Sequence, residues 1–291
     1  MDAIGSGART IALVGPAGTG KTSLAEALLH ASGAIPRLGS VEAGTSLGDA
    51  SPEARARGGS TELNLTRFEW AGDTYVLLDP PGSVAFAAEA DGAIDVADLA
   101  LVVVTPEPER AALAEPMLRE LEARGVPHAI FVNKIDKARG TIEELLETLQ
   151  PLSDAALVAR QIPIREGEQV TGFVDLALER AYHYRQGRPS EQVPLPPDMS
   201  GAEKTARFHM LEQLADHDDA LLEQLLMDEA PDLSTIFGDL RRETAEGLVV
   251  PVMFGSAANG FGLRRLLMGL RHDTPAPAMA PERRGPTAPP A

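Results

Sequence analysis

Runs of apolar residues are separated along this chain by glycine, proline and charge, and they alternate with helical patterning. Residues 11–14 (Ile11-Ala12-Leu13-Val14) predict a buried strand, and residues 23–30 a helix with Leu24, Leu28 and Leu29 on one face, ended by Gly33. Residues 61–70 alternate, with Leu63, Leu65, Phe68 and Trp70 as the apolar members. Gly72-Asp73 then turns into a strand over 74–78, so a hairpin is expected. An Ala-rich helix over 84–97 leads to Leu99-Ala100-Leu101-Val102-Val103-Val104, the continuous apolar run of a strand covered on both faces. A helix over 107–124 is ended by Gly125-Val126-Pro127, a strand follows over 129–132 and a helix over 141–149. The period then breaks. Residues 158–248 carry two short strands, at 162–167 and 170–176, and helices over 201–229 and 234–246. A buried strand over 248–254 and a helix from about 259 to 271 resume the first pattern.

This predicts an α/β fold: a mostly parallel sheet flanked by helices, with an inserted α+β subdomain. The division expected is a domain over 1–275, the insertion at about 158–248, and a Pro/Ala-rich linker or tail over 276–291. No internal repeat is found. Residues 33–60 are poor in hydrophobics and read either as an unstructured insertion or as a switch segment.

Composition narrows the function classes. The chain has 291 residues, no cysteine and a net charge of −17. Thiolate metal sites and disulfides are excluded, and broad binding to nucleic acid or membrane by this chain alone is disfavoured. No apolar stretch reaches membrane-spanning length and no signal peptide is evident, so the cytoplasm is expected. From 200 to 246 there are 12 Asp/Glu against 4 Lys/Arg. That surface is either a solvated helical face or a docking face for a partner.

The chemistry starts at Gly15-Pro16-Ala17-Gly18-Thr19-Gly20-Lys21-Thr22, a G-x-x-x-x-G-K-T phosphate loop lying between a strand and a helix. Glycines let backbone N–H groups turn around phosphate oxygens, and the helix N-terminus adds positive potential. Lys21 can reach the β- and γ-phosphates, and the Thr22 hydroxyl can ligate Mg²⁺. The strand over 74–78 delivers Asp79-Pro80-Pro81-Gly82. Asp79 is the expected second Mg²⁺ anchor and the Gly82 N–H meets a γ-phosphate. The strand over 129–132 delivers Asn133-Lys134-Ile135-Asp136. The Asp136 carboxylate can accept from guanine N1–H and the exocyclic amine, donors that adenine lacks at that edge. The Lys134 stem can lie along the base, and Asn133 can tie the loop to the phosphate loop. An ATP-using phosphate-loop enzyme remains the alternative, excluded if GDP competes and ADP does not.

These motifs in this order, with the insertion before Gly255-Ser256-Ala257 and the phrase Val170-Thr171-Gly172-Phe173-Val174-Asp175-Leu176, resemble the first domain of bacterial elongation factor G over about residues 8–275. The resemblance implies a P-loop GTP-binding domain. It assigns Gly15, Gly20, Lys21, Thr22 and Ser23, with the loop residues Pro16, Ala17, Gly18 and Thr19, to phosphates and metal. It places Ser60 as a switch ligand of Mg²⁺ beside Thr22 and Asp79, Gly82 at the γ-phosphate, and Ser256 and Ala257 behind the guanine held by Asn133, Lys134 and Asp136. The implied cofactors are GTP/GDP and Mg²⁺. The implied partners are guanine nucleotide and the ribosome with its stalk protein, with no membrane and no sequence-specific nucleic-acid contact by this domain.

Two departures bear on turnover. The family's Asp-Thr-Pro-Gly-His is Asp79-Pro80-Pro81-Gly82-Ser83 here, so Ser83 stands where a histidine positions the attacking water. The family's loop aspartate is Gly18. With Lys21, Gly82 and Ser83 as the catalytic set, slow GTP hydrolysis is expected. The alternative is a switch that acts by occupancy with little turnover.

Overall fold

In the computed structural model, which describes residues 8–39, 45, 62–81, 87–273 and 275, the apolar runs become strands of one seven-stranded sheet. They are β1 (Arg9–Val14), β2 (Asn64–Trp70), β3 (Asp73–Asp79), β4 (Leu99–Val104), β5 (His128–Val132), β6 (Ala156–Ala159) and, after four strands of a second sheet, β11 (Val249–Phe254). The spatial order is β2-β3-β1-β4-β5-β11-β6. All pairs are parallel except the β2–β3 hairpin, which turns at Ala71 and Gly72, both with positive φ.

Alternate residues of each strand feed opposite faces, which is why β4 reads as unbroken hydrophobicity. Leu99, Leu101 and Val103 pack with Leu24 and Leu28 of α1 (Lys21–Ser32) and Leu266 and Leu270 of α9 (Leu263–Asp273). Ala100, Val102 and Val104 face Ile94 of α2 (Ala87–Val96), Leu118 and Leu121 of α4 (Glu115–Ala123), and Leu145 and Leu149 of α5 (Ile142–Leu149). Two contacts clasp β1 to β4 at its ends. The Thr10 N–H donates to Asp98 Oδ2 at 2.7 Å. At the other end, a Cβ on Gly15 would lie 2.4 Å from the Val103 carbonyl, so only glycine fits.

The second sheet is antiparallel in the order β10-β9-β8-β7, from β7 (Gln161–Glu166), β8 (Gln169–Asp175), β9 (Arg180–Arg185) and β10 (Arg188–Val193). Its Phe173, Tyr182 and Tyr184 pack on the main core. Ile162, Ile164 and Val174 pack instead under Met210 and Leu214 of α6 (Ser200–Ala215), Leu221 of α7 (Asp219–Leu226) and Leu240 of α8 (Leu233–Glu246). Buried ion pairs join this unit to α9. Arg160 Nε meets Asp273 Oδ2 at 3.1 Å with both side chains almost fully buried, and Arg265 pairs with Asp175.

The structure departs from the expected elements at definite places. The helix expected over 107–124 is broken into α3 (Pro108–Ala111), a 3₁₀ turn (Ala112–Ala114) and α4, with Pro116 in the first turn of α4. The helix expected over 201–229 is two helices, because Asp218 takes extended backbone and caps α7 by accepting from the N–H groups of Ala220 and Leu221. Two further strands, β9 and β10, extend the small β unit, and β6 joins the main sheet. The last helix begins at Leu263 rather than near 259. Most of the candidate switch segment, residues 84–86 of an expected helix, and the tail lie outside the described residues.

Candidate functional site

The parallel strands β1, β3, β4, β5 and β11 all end on one side of the sheet, with β1 flanked by β3 and β4, the place where open α/β sheets bind ligands. Gly15, Gly18 and Gly20 all have positive φ, and the loop wraps onto the start of α1. Lys21 Nζ donates to the carbonyls of Gly15 at 2.9 Å and Pro16 at 3.1 Å. Burial pushes its ammonium below the ordinary lysine range, and the Asp79 carboxylate raises it again. Asp79 is buried at the tip of β3, and Thr22 is the second residue of α1. Both offer oxygen, the donor a hard divalent cation takes. Among the described residues no group of three or more His, Cys, Asp or Glu could hold a metal alone. Beside Lys21 a cleft of about 390 Å³ opens between Pro80, Pro81, Ile94 and Met117.

Asn133 is the joint of the site and is 2 % exposed. Its Nδ2 donates to the Thr19 carbonyl at 2.8 Å, and its Oδ1 accepts from the N–H groups of Lys134 at 2.9 Å and Ala257 at 3.0 Å. A Cβ on Gly20 would lie 2.7 Å from Asn133 Nδ2, so the phosphate loop and the base turn meet in contact. Lys134 takes a left-handed φ of 63 and sends Nζ to the Gly18 carbonyl at 2.7 Å. Such backbone persists where the surroundings enforce it. Here the Ile135 N–H donates to Gly255 O, and Gly255 N–H donates to Val132 O. Asp136 follows, and its Oδ1 is buried with no hydrogen-bond partner among the described residues. Ser256 is buried, its Oγ accepts from Asn259 Nδ2 at 3.1 Å, and Ala257 is buried beside Asn133.

The structure thus brings Gly15, Pro16, Ala17, Gly18, Thr19, Gly20, Lys21, Thr22, Ser23, Asp79, Asn133, Lys134, Asp136, Ser256 and Ala257 to one edge of one sheet. Ser60, Gly82 and Ser83 lie outside the described residues. Sequence reasoning missed three side chains. Tyr184 of β9 stacks on Phe261, with centroids 4.6 Å apart and rings nearly parallel. Burial, and then the field of Asp136, raises its phenol above the ordinary range. Arg165 of β7 donates to the carbonyls of Gly140 at 2.5 Å and Ala138 at 3.5 Å, bracing the turn after Asp136 from the second sheet. Arg110 of α3 comes 3.5 Å from where a Gly18 Cβ would stand. No local motif marks any of the three.

Residues 6–276 match the model of the elongation factor Tu GTP binding domain. The chain belongs to that family. It is 39% identical over 276 residues to an elongation factor G-like protein of Synechocystis sp., covering 95% of this chain and 41% of the relative. It is 29% identical to elongation factor G 1 of Geobacter sulfurreducens, covering 95% and 41%, and 29% identical to elongation factor G of Mycoplasma pneumoniae, covering 90% and 38%. The chain therefore spans about two fifths of the length of these curated relatives. A crystal structure of a Thermus thermophilus protein, ttk003000868, superposes with a TM-score of 0.86 at 33% identity, over 94% of this chain and 41% of that one. The family's GTP-binding fold is the one described here: a mostly parallel sheet with flanking helices, and an antiparallel unit inserted between the Asn133 turn and the Gly255 loop. No helix among the described residues is long and apolar enough to cross a membrane.

Proposed function

We propose that the chain is the guanine-nucleotide-binding and GTP-hydrolysing domain of an elongation factor G-like translation protein. The observation that carries this reading is the Asp136 carboxylate. Its Oδ1 is buried without a hydrogen-bond partner among the described residues, in a turn that Asn133 ties to the phosphate loop, and an unpaired buried acceptor calls for a ligand donor. Guanine offers two donors at that edge and adenine none. Lys134 lies along the base, and Ser256 and Ala257 back it.

At the other end the glycine loop, Lys21, Thr22 and Ser23 take the phosphates. Thr22, Asp79 and Ser60 would hold Mg²⁺, which when bound would offset charge on the phosphates. Gly82 meets the γ-phosphate. Ser83 is too short to hold the attacking water as histidine would, and loss of one such group commonly costs about 10²–10³-fold. The domain spans 1–275 with the insertion at about 158–248, and 276–291 is a linker or tail. The protein works in the cytoplasm at the ribosome, with the acidic helices α6–α8 as the face offered to the stalk protein.

The test is GTP turnover by the chain extended to full length, with and without ribosomes, beside Ser83→His. Slow turnover accelerated by histidine supports the reading. Tight GTP binding with no turnover until histidine is supplied favours a switch acting by occupancy, which the Ser83 substitution also motivates. Competition by ADP as strong as by GDP overturns both.

A further inference from the structure

Arg110 is an exposed residue on the four-residue helix α3, which follows β4 at the ligand-binding edge of the sheet. Its Nη2 comes 3.5 Å from the position a Cβ would take on Gly18. Lys134 Nζ reaches the same residue, donating to the Gly18 carbonyl at 2.7 Å. Two cations therefore converge on one residue of the phosphate loop, in a chain whose net charge is −17. The guanidinium of Arg110 makes no hydrogen bond or ion pair among the described residues. Like charges held close together repel, and an anion placed there relieves the repulsion. The Lys134 ammonium registers the crowding: burial, then Arg110 and Lys137, push it below the ordinary lysine range, while Glu107 and Asp136 offset only part of that.

Gly18 makes the approach possible. It has no side chain and a left-handed φ of 77, so no Cβ of its own stands between the loop backbone and Arg110. A carboxylate at position 18 would stand within reach of Arg110 and neutralise it. The chain instead leaves the guanidinium facing the loop.

We infer that Arg110 is a phosphate-binding residue: it contacts the α/β-phosphate edge of a bound guanine nucleotide, on the side of the loop nearest the base. This rests on the guanine-nucleotide reading above. Lys21 serves the opposite side, beside Pro80 and the open cleft. The division of labour has a consequence. The α- and β-phosphates are common to GDP and GTP, so Arg110 stabilises both nucleotides equally and does not select the transition state. It is a binding residue and not a catalytic one.

The experiment is equilibrium binding of guanosine, GDP and GTP, with Mg²⁺, to the 291-residue chain and to its Arg110→Ala and Arg110→Lys variants. Charge-assisted hydrogen bonds at exposed sites support an expected loss of about five- to twentyfold for GDP and GTP alike in Arg110→Ala, with guanosine unchanged. Arg110→Lys, which keeps the charge and loses the fork, recovers part of that loss. The GDP and GTP affinities of Arg110→Ala also become less sensitive to added salt. Unchanged GDP affinity in a correctly folded Arg110→Ala overturns the inference. So does an equal loss for guanosine, which would mean that Arg110 only props the Lys134 turn. A wild-type chain that binds none of the three removes the nucleotide reading itself, an outcome separable from the other two.

Discussion

Asn133 Nδ2 lies 2.8 Å from the Thr19 carbonyl, joining the base turn to the phosphate loop across 114 positions of sequence. The same side chain accepts from Ala257 at 3.0 Å. One amide therefore holds three loops, from β1, β5 and β11, at one spacing. Asn133→Ala strands two buried groups of the other loops. Stability is expected to fall by about 2–4 kcal/mol, and Tm by roughly 5–15 °C. GDP and GTP affinities fall together by at least about tenfold, because the distance between base and phosphate subsites is lost. Thermal melts and fluorescent-nucleotide titration check both. A normal melt with weakened binding would show that the joint serves the ligand alone.

Asp136→Asn exchanges two acceptors for one donor and one acceptor. Xanthine carries a carbonyl where guanine carries its amine, so the variant matches the xanthine edge. GTP affinity should fall by about a hundredfold or more, since a polar edge is left unmatched, and XTP affinity should rise. Competition binding with the two triphosphates reads this out, and a parallel fall for both would sink the assignment of Asp136 to the base edge.

Arg160 and Asp273 form a pair in which both side chains are almost fully buried. Asp273→Ala leaves a guanidinium buried beside Arg265, whose own partner is Asp175. Removing one member of such a pair typically costs about 3–5 kcal/mol. Chemical denaturation should show a lower midpoint. Replacing both Arg160 and Asp273 by apolar residues should recover most of the loss.

Glu243 is fully buried and shares Arg242 with Asp239 and Asp218. Burial, then the Asp239 charge, pushes its carboxyl from 4.5 up to about 8. In the folded chain it keeps its proton to about pH 8, whereas the unfolded chain releases it near 4.5. Unfolding between those values releases a proton, so stability falls as pH rises through that window and levels off above it. Burial raises Asp239 as well, with the same sign. The Tm of Glu243→Gln relative to wild type should climb from about pH 5 to about pH 8. A difference independent of pH would mean that Glu243 is ionised in the fold.

The main sheet is legible in the sequence because strands buried on both faces are written as uninterrupted apolar runs, as at Leu99-Ala100-Leu101-Val102-Val103-Val104. The loop is legible because only glycine satisfies the contacts at Gly15 and Gly20. The edge of the second sheet is not. β10 reads Arg188-Pro189-Ser190-Glu191-Gln192-Val193 and is mostly exposed, so no burial pattern marks it. The split near 216 is carried by a single cap, Asp218, inside a run of acids that also suits a helix. Tyr184 and Phe261 meet only through tertiary packing, far apart in sequence, and neither carries a local sign of the site. Arg110 sits in a segment that periodicity reads as continuous helix, and the 3₁₀ turn Ala112–Ala114 sets its helix apart from α4.

A strand that is apolar on both sides can slide by one residue and still be buried, so hydrophobicity alone does not fix the alignment of β1 with β4. The clasps at its two ends do: Asp98 on the Thr10 amide, and the Val103 carbonyl against bare Gly15. A slip of one position would carry everything downstream of β4 by about 3.3 Å relative to the loop. Arg110 would then miss Gly18, and the two ends of a ligand would be gripped out of phase. An amide, a carboxylate and a missing methyl group thus act as the gauge blocks of the fold, setting the tolerance to which its binding edge is assembled.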